Sequence, residues 1–168
     1  MLDILLVSAT HLEHNDSEIE GVPIYQIGVP IYQIGVGKIR SAVNTLQLIK
    51  AKKPDIVINF GSCGNLSNLK PGDVHEIKMV YNDFYAGKLF SYQPIKLNTR
   101  NKDSNITCFS TDTFFELGED YHHSYTFRRS RCDVAEMELY SVALVCQQEN
   151  IPVYGYKWVS DDGEEGKW

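Results

Sequence analysis

The stretch from Pro54 to Val74, PDIVINFGSCGNLSNLKPGDV, carries the strongest signals of the fold. Its first part, Asp55 to Phe60, is a short, mostly apolar run that is typical of a strand buried on both faces. The run leads directly into the glycine-rich GSCGN at residues 61–65, and the Pro-Gly-Asp at 71–73 predicts a turn. In open α/β sheets the carboxyl ends of such strands are where ligands bind.

The patterns on both sides of this stretch alternate between strand and helix. Strands are predicted at Leu2–Val7, Val74–Val80, Ile106–Phe109 and Pro152–Val159. A helix is predicted from Gly37 until Pro54 stops it, with an inward stripe of Ile39, Ala42, Val43, Leu46 and Ile49. A second helix is predicted from Glu138 to about Gln148, with Leu139, Val142, Ala143 and Cys146 facing inward. The sequence therefore predicts a single α/β domain over residues 1–168, with a mixed, mostly parallel β-sheet flanked by helices.

A seven-residue repeat lies between the first strand and the first helix. GVPIYQI at 21–27 recurs without change at 28–34, a period far too short for a solenoid array. One interpretation is a hairpin of two strands, each opened by Gly-Val-Pro, because a proline is tolerated at a strand start. The other interpretation is a local duplication of the chain.

Composition and charge limit the classes of partner. The chain has 168 residues, of which 43% are hydrophobic, and its formal net charge is −6. Without a long basic run, this charge argues against nucleic-acid binding, which relies on Lys and Arg at the phosphates. No apolar run approaches the roughly 20 residues that span a bilayer, so we expect no membrane partner.

The cysteines and histidines suggest neither disulfides nor a metal. The four cysteines are widely spaced without a CxxC pair, and the opening MLDILLVSA lacks the basic n-region of a secretory leader. We therefore expect reduced cysteines and a cytoplasmic protein. His11, His14, His122 and His123 have no partners at metal-ligand spacing, so we expect no metal and no other cofactor.

The ends of the predicted strands carry the candidate chemistry. The segments SATHLE, GSCGN, STDTFF and SDD follow strands, and EME stands at the start of the second helix. Three of these segments could bring a carboxylate to one rim, as Glu13, Glu138 and Asp161. Such a set suits a reaction in which one acid protonates a leaving group and another activates water. Taken singly, Glu138 could equally be a first-turn carboxylate favoured by the helix dipole, and the glycines could only be turning the chain.

Taken in order, several motifs resemble the nucleoside phosphorylase and nucleosidase family, and most closely its methylthioadenosine and adenosylhomocysteine nucleosidases. They are VGKIRSAVNTLQLI, PDIVINFGSCGNLSNLKPGDV, STDTFF, DVAEMELYSVALVC and VSD. The resemblance implies a three-layer sandwich and an enzyme that cleaves the N-glycosidic bond of a purine nucleoside. It also implies a homodimer, because members of the family complete their pockets with a neighbouring subunit.

The resemblance assigns roles to individual residues. Asp161 matches the acid that protonates the departing purine, and Ser160 would help to hold it. Met137 and Glu138 match the ribose-binding pair, with Glu136 beside them on the adjoining backbone. The further matches are to the loop beneath the nucleoside, at Ser62, Cys63 and Gly64, and to the aromatic wall of the base pocket, at Phe114 and Phe115.

The same comparison favours water over phosphate as the attacking group. Glu13 stands at about the position of the glutamate that activates water in nucleosidases. Phosphorylases of the family need an arginine after the first strand, whereas the first arginine here is Arg40. Lys157 takes the place of an arginine near the attacking water, which keeps the positive charge without the guanidinium fork.

Two alternatives to hydrolysis stay open at the level of sequence. The chain is shorter than typical family members around Glu13 to Gly37, around 83–105 and after Asp161, where a helix usually helps to close the base pocket. Phosphorolysis is the first alternative. A nucleoside-binding protein with little turnover is the second, because function lies in the site rather than in the fold.

Overall fold

The computed structural model of the chain describes residues 2–11, 18–19, 22–23, 30–82, 93–112 and 132–160. Within these ranges the elements are β1 (Ile4–Ser8), β2 (Glu18–Ile19), β3 (Val22–Pro23), β4 (Ile31–Gln33), α1 (Lys38–Lys52), β5 (Ile56–Asn65), β6 (Val74–Asn82), β7 (Ile95–Lys96), β8 (Ile106–Ser110), β9 (Val134–Glu136), α2 (Leu139–Glu149) and β10 (Val153–Val159). The predicted site residues Glu13, Phe114, Phe115 and Asp161 lie outside the described residues.

Five of the strands close into a ring. β5 pairs with β10, β10 with β6, β6 with β8, β8 with β9, and β9 with β5. The β10–β6 and β5–β9 pairs are antiparallel, and the other three are parallel. Outside the ring, β1 pairs with β5 and β4 pairs with β1, both in parallel. The prediction of an α/β fold with a mixed sheet is confirmed, and the closure of the sheet into a ring was not predicted from the sequence.

The length of β5 explains the closure of the ring. The strand was expected to end at Phe60, yet it continues through GSCGN to Asn65. Its residues 56–59 pair with β1, residues 57–63 pair with β10, and residues 64 and 65 pair with β9. One strand therefore belongs both to the ring and to the flat extension formed by β1 and β4.

The two helices lie side by side against the sheet. Ser41 Oγ of α1 and Ser141 Oγ of α2 are 2.5 Å apart in a buried hydrogen bond. α2 contacts β5, β6, β8 and β10, and its predicted inward residues Leu139, Val142, Ala143 and Cys146 are all buried. Neither helix is long and apolar enough to cross a bilayer. The second helical layer of a three-layer sandwich stays a prediction.

The inward stripe predicted for α1 is largely wrong. Ile39 is 82% exposed, and Val43 and Leu46 are also exposed. The helix instead buries Ser41, Thr45 and Ile49. A polar face can turn inward here because Ser41 finds partners there: its hydroxyl bonds to Ser141 and donates to the carbonyl of Gly37.

Part of each copy of the GVPIYQI repeat lies within the described residues. Val22–Pro23 of the first copy pairs with Glu18–Ile19 in a separate two-stranded sheet. Ile31–Gln33 of the second copy pairs in parallel with β1 of the main sheet. Neither of these described strands pairs with the other copy, and the remaining residues of the proposed hairpin lie outside the described residues.

Candidate active site

Hydrogen bonds bring the end of β10 against the GSCGN segment of β5. The backbone N–H of Ser160 donates to the carbonyl of Cys63 at 3.0 Å, and the Ser160 hydroxyl donates to the same oxygen at 3.1 Å. The Cys63 thiol in turn donates to the carbonyl of Trp158 at 3.4 Å. Cys63 is buried, whereas Ser62 on the other side of the strand is half-buried. Two of the predicted segments thus meet at the level of their backbones.

The EME segment reaches the same end of β5 through β9. Ala135 pairs with Gly64, and Val134 pairs with Asn65. Glu136 ends β9, Met137 is half-buried, and Glu138 caps the start of α2. Sequence analysis did not predict β9 as a strand, although it placed EME at this rim.

Glu138 lies where the starts of the two helices meet. The residue is only 5% exposed, and its Oε1 accepts a hydrogen bond from the backbone N–H of Gly37 at 2.8 Å. Gly37 precedes α1 and has a φ of 86°, in the left-handed region that favours glycine. Glu138 is therefore tied to α1 as well as to α2.

Glu136 is also buried and accepts four hydrogen bonds, one of them from the Lys157 ammonium. Its Oε2 accepts from the N–H groups of Glu138 at 3.0 Å and Leu139 at 2.7 Å, and Lys157 Nζ is 3.0 Å away. Its Oε1 accepts from the hydroxyl of Ser110. Burial alone would raise the pKa of this carboxyl, but the Lys157 ammonium, the Ser110 hydroxyl and the two N–H groups outweigh it and hold the pKa below its ordinary value.

Lys157 forms an ion pair with Glu136. β9 and β10 are not neighbours in the ring, so this pair links two strands that do not hydrogen-bond to each other. Lys157 is 1% exposed. Burial, followed by the charge of Glu136, raises the pKa of the nearby Cys108 thiol well above its usual range. The Cys108 thiol near this ion pair therefore stays neutral near neutral pH.

Sequence analysis missed Lys38 as a residue of this rim. Its ammonium donates to Asn82 Oδ1 at 2.8 Å and lies 2.9 Å from Asp112 Oδ2. Asn82 ends β6, and Asp112 follows β8. No sequence signal could have found this set, because its members are more than forty residues apart from Lys38. Among the described residues, no group of three His, Cys, Asp or Glu side chains could hold a metal ion.

Comparison with known proteins places this geometry in context. A sequence model described as "Phosphorylase superfamily" matches residues 22–103, which include α1, β5 and β6. Over those residues the chain is similar in sequence to this superfamily.

Curated relatives within this family are named 5'-methylthioadenosine/S-adenosylhomocysteine nucleosidase. A protein from Buchnera aphidicola (subsp. Acyrthosiphon pisum, strain APS) is 29% identical over 152 residues, which cover 76% of this chain and 65% of the relative. A protein from Actinobacillus succinogenes is 27% identical over 164 residues, which cover 77% of this chain and 67% of the relative. The chain spans about two thirds of the length of these relatives, and slightly less in the first of them.

Solved structures related to this family share the fold. The Helicobacter pylori 5'-methylthioadenosine/S-adenosylhomocysteine nucleosidase with butyl-thio-DADMe-Immucillin-A superposes with a TM-score of 0.78 at 19% identity, covering 99% of this chain and 88% of that one. A futalosine hydrolase mutant of the same organism gives a TM-score of 0.78 at 18% identity, covering 99% and 89%. Proteins with different named substrates therefore have this fold.

Proposed function

We propose that this protein is a nucleosidase that hydrolyses the N-glycosidic bond of an adenosine-type purine nucleoside and releases the free base. The observation that carries the proposal is the meeting of Cys63, Ser160 and the Glu136–Glu138 turn at one end of the ring. In sequence, these segments match three parts of the family's site: the loop beneath the nucleoside, the acid at the purine and the ribose-binding pair. Their convergence supports one shared site.

In the proposed reaction, Asp161 protonates the departing purine and Glu13 activates the attacking water. Asp161 directly follows Ser160, whose two bonds to Cys63 hold the preceding backbone beside GSCGN. Glu138 accepts hydrogen bonds from the ribose hydroxyls, and Met137 packs on the sugar. A carboxylate at the ribose also stabilises the positive charge that develops on the sugar as the glycosidic bond breaks.

The substrate is proposed from the names of the sequence relatives. The relatives from Buchnera aphidicola and Actinobacillus succinogenes are named for methylthioadenosine and adenosylhomocysteine, which share an adenosine core. The base pocket would be completed by Phe114 and Phe115. Water is proposed as the attacking group because no arginine follows the first strand until Arg40.

The direct test is release of free base from methylthioadenosine, adenosylhomocysteine, adenosine and inosine, with and without phosphate. We expect release from adenosine-type nucleosides at a rate that phosphate does not change. A requirement for phosphate would identify a phosphorylase instead. Binding without release from any of the four would identify a nucleoside-binding protein.

The acid role is tested by Asp161→Asn, with Asp162→Asn as the neighbouring control. Positioned acid catalysis contributes about 10²–10⁴-fold to a rate. We therefore expect Asp161→Asn to lower kcat by at least about 10²-fold while leaving the affinity for nucleoside largely intact, and Asp162→Asn to have little effect. Equal kcat values for the two variants would remove Asp161 from the acid role.

We propose that the protein forms a homodimer through the outer face of α1. Ile39, Val43 and Leu46 recur along α1 at spacings of four and three residues, so they lie on one stripe, and all three are exposed. A contiguous apolar stripe on a helix is typical of a surface that another protein covers. The dimer would bury the side chains that sequence analysis expected to face the core.

A cytoplasmic location is proposed from the cysteines. Cys63, Cys108, Cys132 and Cys146 are free and buried. Free thiols are usual where glutathione and thioredoxin keep cysteines reduced. Burial raises the pKa of the Cys146 thiol to about 12, which leaves this thiol inert near neutral pH.

A further inference from the structure

We propose that Glu136 and Lys157 form a positioning pair that fixes the ribose carboxylate Glu138, and that neither of them touches the nucleoside. This inference rests on the proposed function, because it assumes that Glu138 binds the ribose. It reassigns two residues that the family resemblance would place among the groups in contact with substrate.

Side chains from neighbouring strands hold the N–H groups at the start of α2. The first N–H groups of a helix lack partners within the helix. Here Glu136 Oε2 accepts from the N–H groups of Glu138 and Leu139, and Ser110 Oγ accepts from the N–H of Tyr140 at 2.9 Å. Three successive donors are therefore held by side chains from β8 and β9. The backbone of Glu138 has its position fixed by Glu136.

The buried Glu136 carboxylate depends on the positive charge of Lys157. Glu136 is 7% exposed, and a buried carboxylate stays ionised only where a nearby positive charge and hydrogen bonds offset the loss of water. The Lys157 ammonium supplies that charge at 3.0 Å. Without it, the carboxyl would tend to bind a proton, and its two oxygens could no longer both accept hydrogen bonds. The position of Glu138 thus depends on Lys157 through Glu136.

Lys157 lies close in sequence to the proposed acid. Lys157 lies on β10, three residues before Ser160 and four before the proposed acid Asp161. Its ion pair links β10 to the residue that positions Glu138 at the start of α2. The pair therefore sets the spacing between the acid at the base and the carboxylate at the ribose. Since Lys157 is 1% exposed and its ammonium lies against Glu136, we assign its charge to this carboxylate rather than to a ligand.

The test measures how much more tightly the site binds a nucleoside with the ribose 2'-hydroxyl than one without it. The probes are a C-nucleoside analogue of adenosine, which has no glycosidic C–N bond to cleave, and its 2'-deoxy counterpart. Binding is measured by calorimetry, so the result does not depend on turnover. A hydrogen bond to a charged acceptor is worth about tenfold or more in affinity, so we expect the wild-type protein to prefer the ribo probe by about that factor.

Replacing Lys157 should remove this preference. In Lys157→Met we expect the ratio of the two affinities to fall from about tenfold to about twofold or less, because Glu138 is no longer held in place. Lys157→Arg keeps a positive charge and should retain more of the preference than Lys157→Met. Val153→Ala, a buried change at the start of the same strand, controls for loss of stability and should keep the wild-type ratio.

A second variant covers the case in which Lys157→Met does not fold. Ser110→Ala removes the hydroxyl that bonds both Glu136 Oε1 and the N–H of Tyr140, and it leaves no charge unpaired. It should also lower the ratio, by a smaller factor. A wild-type ratio in folded Lys157→Met or in Ser110→Ala would overturn the positioning role. A wild-type protein without any preference would overturn the ribose role of Glu138 itself, and the pair's role with it.

Discussion

Glu136 and Glu138 are separated by one residue, yet the fold gives them different surroundings. In the part of the chain that the structure describes, Glu136 accepts hydrogen bonds from Ser110, Lys157 and two backbone N–H groups. Glu138 reaches back to the N–H of Gly37, at the rim between the two helices. Because a strand ends at Glu136 and a helix begins directly after Glu138, the two similar side chains have different hydrogen-bond partners.

Glu76 is the centre of a further, partly exposed hydrogen-bond network, on the opposite face of β10 from Lys157. Its carboxylate accepts from the N–H groups of Arg100 at 2.8 Å and Asn101 at 2.9 Å, and from the hydroxyl of Tyr156 at 2.8 Å. Burial would raise the pKa of Glu76, but these bonds outweigh it and lower the pKa from 4.5. Burial, together with the bond to Glu76, raises the pKa of Tyr156 to about 12.

Glu76→Gln should destabilise the protein by about 1 kcal/mol near pH 7, because one of its acceptors becomes a donor facing an N–H. Partial exposure keeps the loss modest. A carboxyl whose folded pKa is lowered stabilises the fold above its unfolded pKa and ceases to do so as the pH falls through the folded value. The difference in unfolding free energy should therefore shrink below about pH 4.5. Urea unfolding from about pH 7 to 3 measures it.

Tyr156→Phe is the matched control for this experiment. It removes one of the three donors to Glu76 and leaves the carboxylate in place. Tyr156→Phe should lower the unfolding free energy by less than Glu76→Gln does. Because the Glu76 carboxylate remains, part of the pH dependence of stability should persist in Tyr156→Phe. A cost of Glu76→Gln that is the same at every pH would show that charge has no part in this network.

At the scale of elements, α1 shows where a hydrophobic pattern misleads. Apolar residues at spacings of three and four predict a helix correctly, and α1 extends over Lys38–Lys52. The pattern does not say which face meets the sheet. Ser41 has buried partners in α2 and at Gly37, and Asn44 donates to the carbonyl of Ile34 at 2.9 Å. These polar contacts between distant residues orient the helix, and they cannot be deduced from periodicity.

The end of α1 offers a test of its local geometry. Lys53 has a φ of 51° and ψ of 53°, the left-handed conformation that glycine adopts most easily at this position. Lys53→Gly should raise the free energy of unfolding by about 0.5–1 kcal/mol, since removing the strain exceeds the added chain entropy. Lys52→Gly, one residue earlier inside the helix, should lower it by about 1 kcal/mol. Urea unfolding of both variants would contradict this account if the two changes had the same sign.

The strands show what patterns can and cannot predict. β1, β8, β10 and the first half of β5 are short apolar runs, and they lie close to where sequence analysis placed them. β9 has only three residues, too few for a pattern, and β5 was cut short because glycines in GSCGN suggested a turn. Pairing between strands is a non-local property. The ring closure and the Glu136–Lys157 contact therefore emerged only in three dimensions.

At the scale of the whole molecule, the proposed dimer can be tested on the outer face of α1. Ile39→Glu places a charge in the middle of the exposed apolar stripe. We expect it to shift the protein from dimer to monomer, as measured by light scattering coupled to size-exclusion chromatography, and to raise KM if the partner completes the pocket. Ala51→Glu adds the same charge at an exposed position of the same helix farther around from the stripe. A dimer that survives Ile39→Glu would locate the interface elsewhere.

The position of β10 in the ring has a consequence for synthesis on the ribosome. β10 lies between β5 and β6, which are translated much earlier. Until Val153–Val159 has left the exit tunnel, the nascent chain holds two strands with unpaired backbone edges and a lone Glu136 without its counter-ion. Open strand edges recruit other chains. Cotranslational chaperones should therefore bind this protein most strongly just before β10 emerges, and ribosome stalling at that point should favour aggregation.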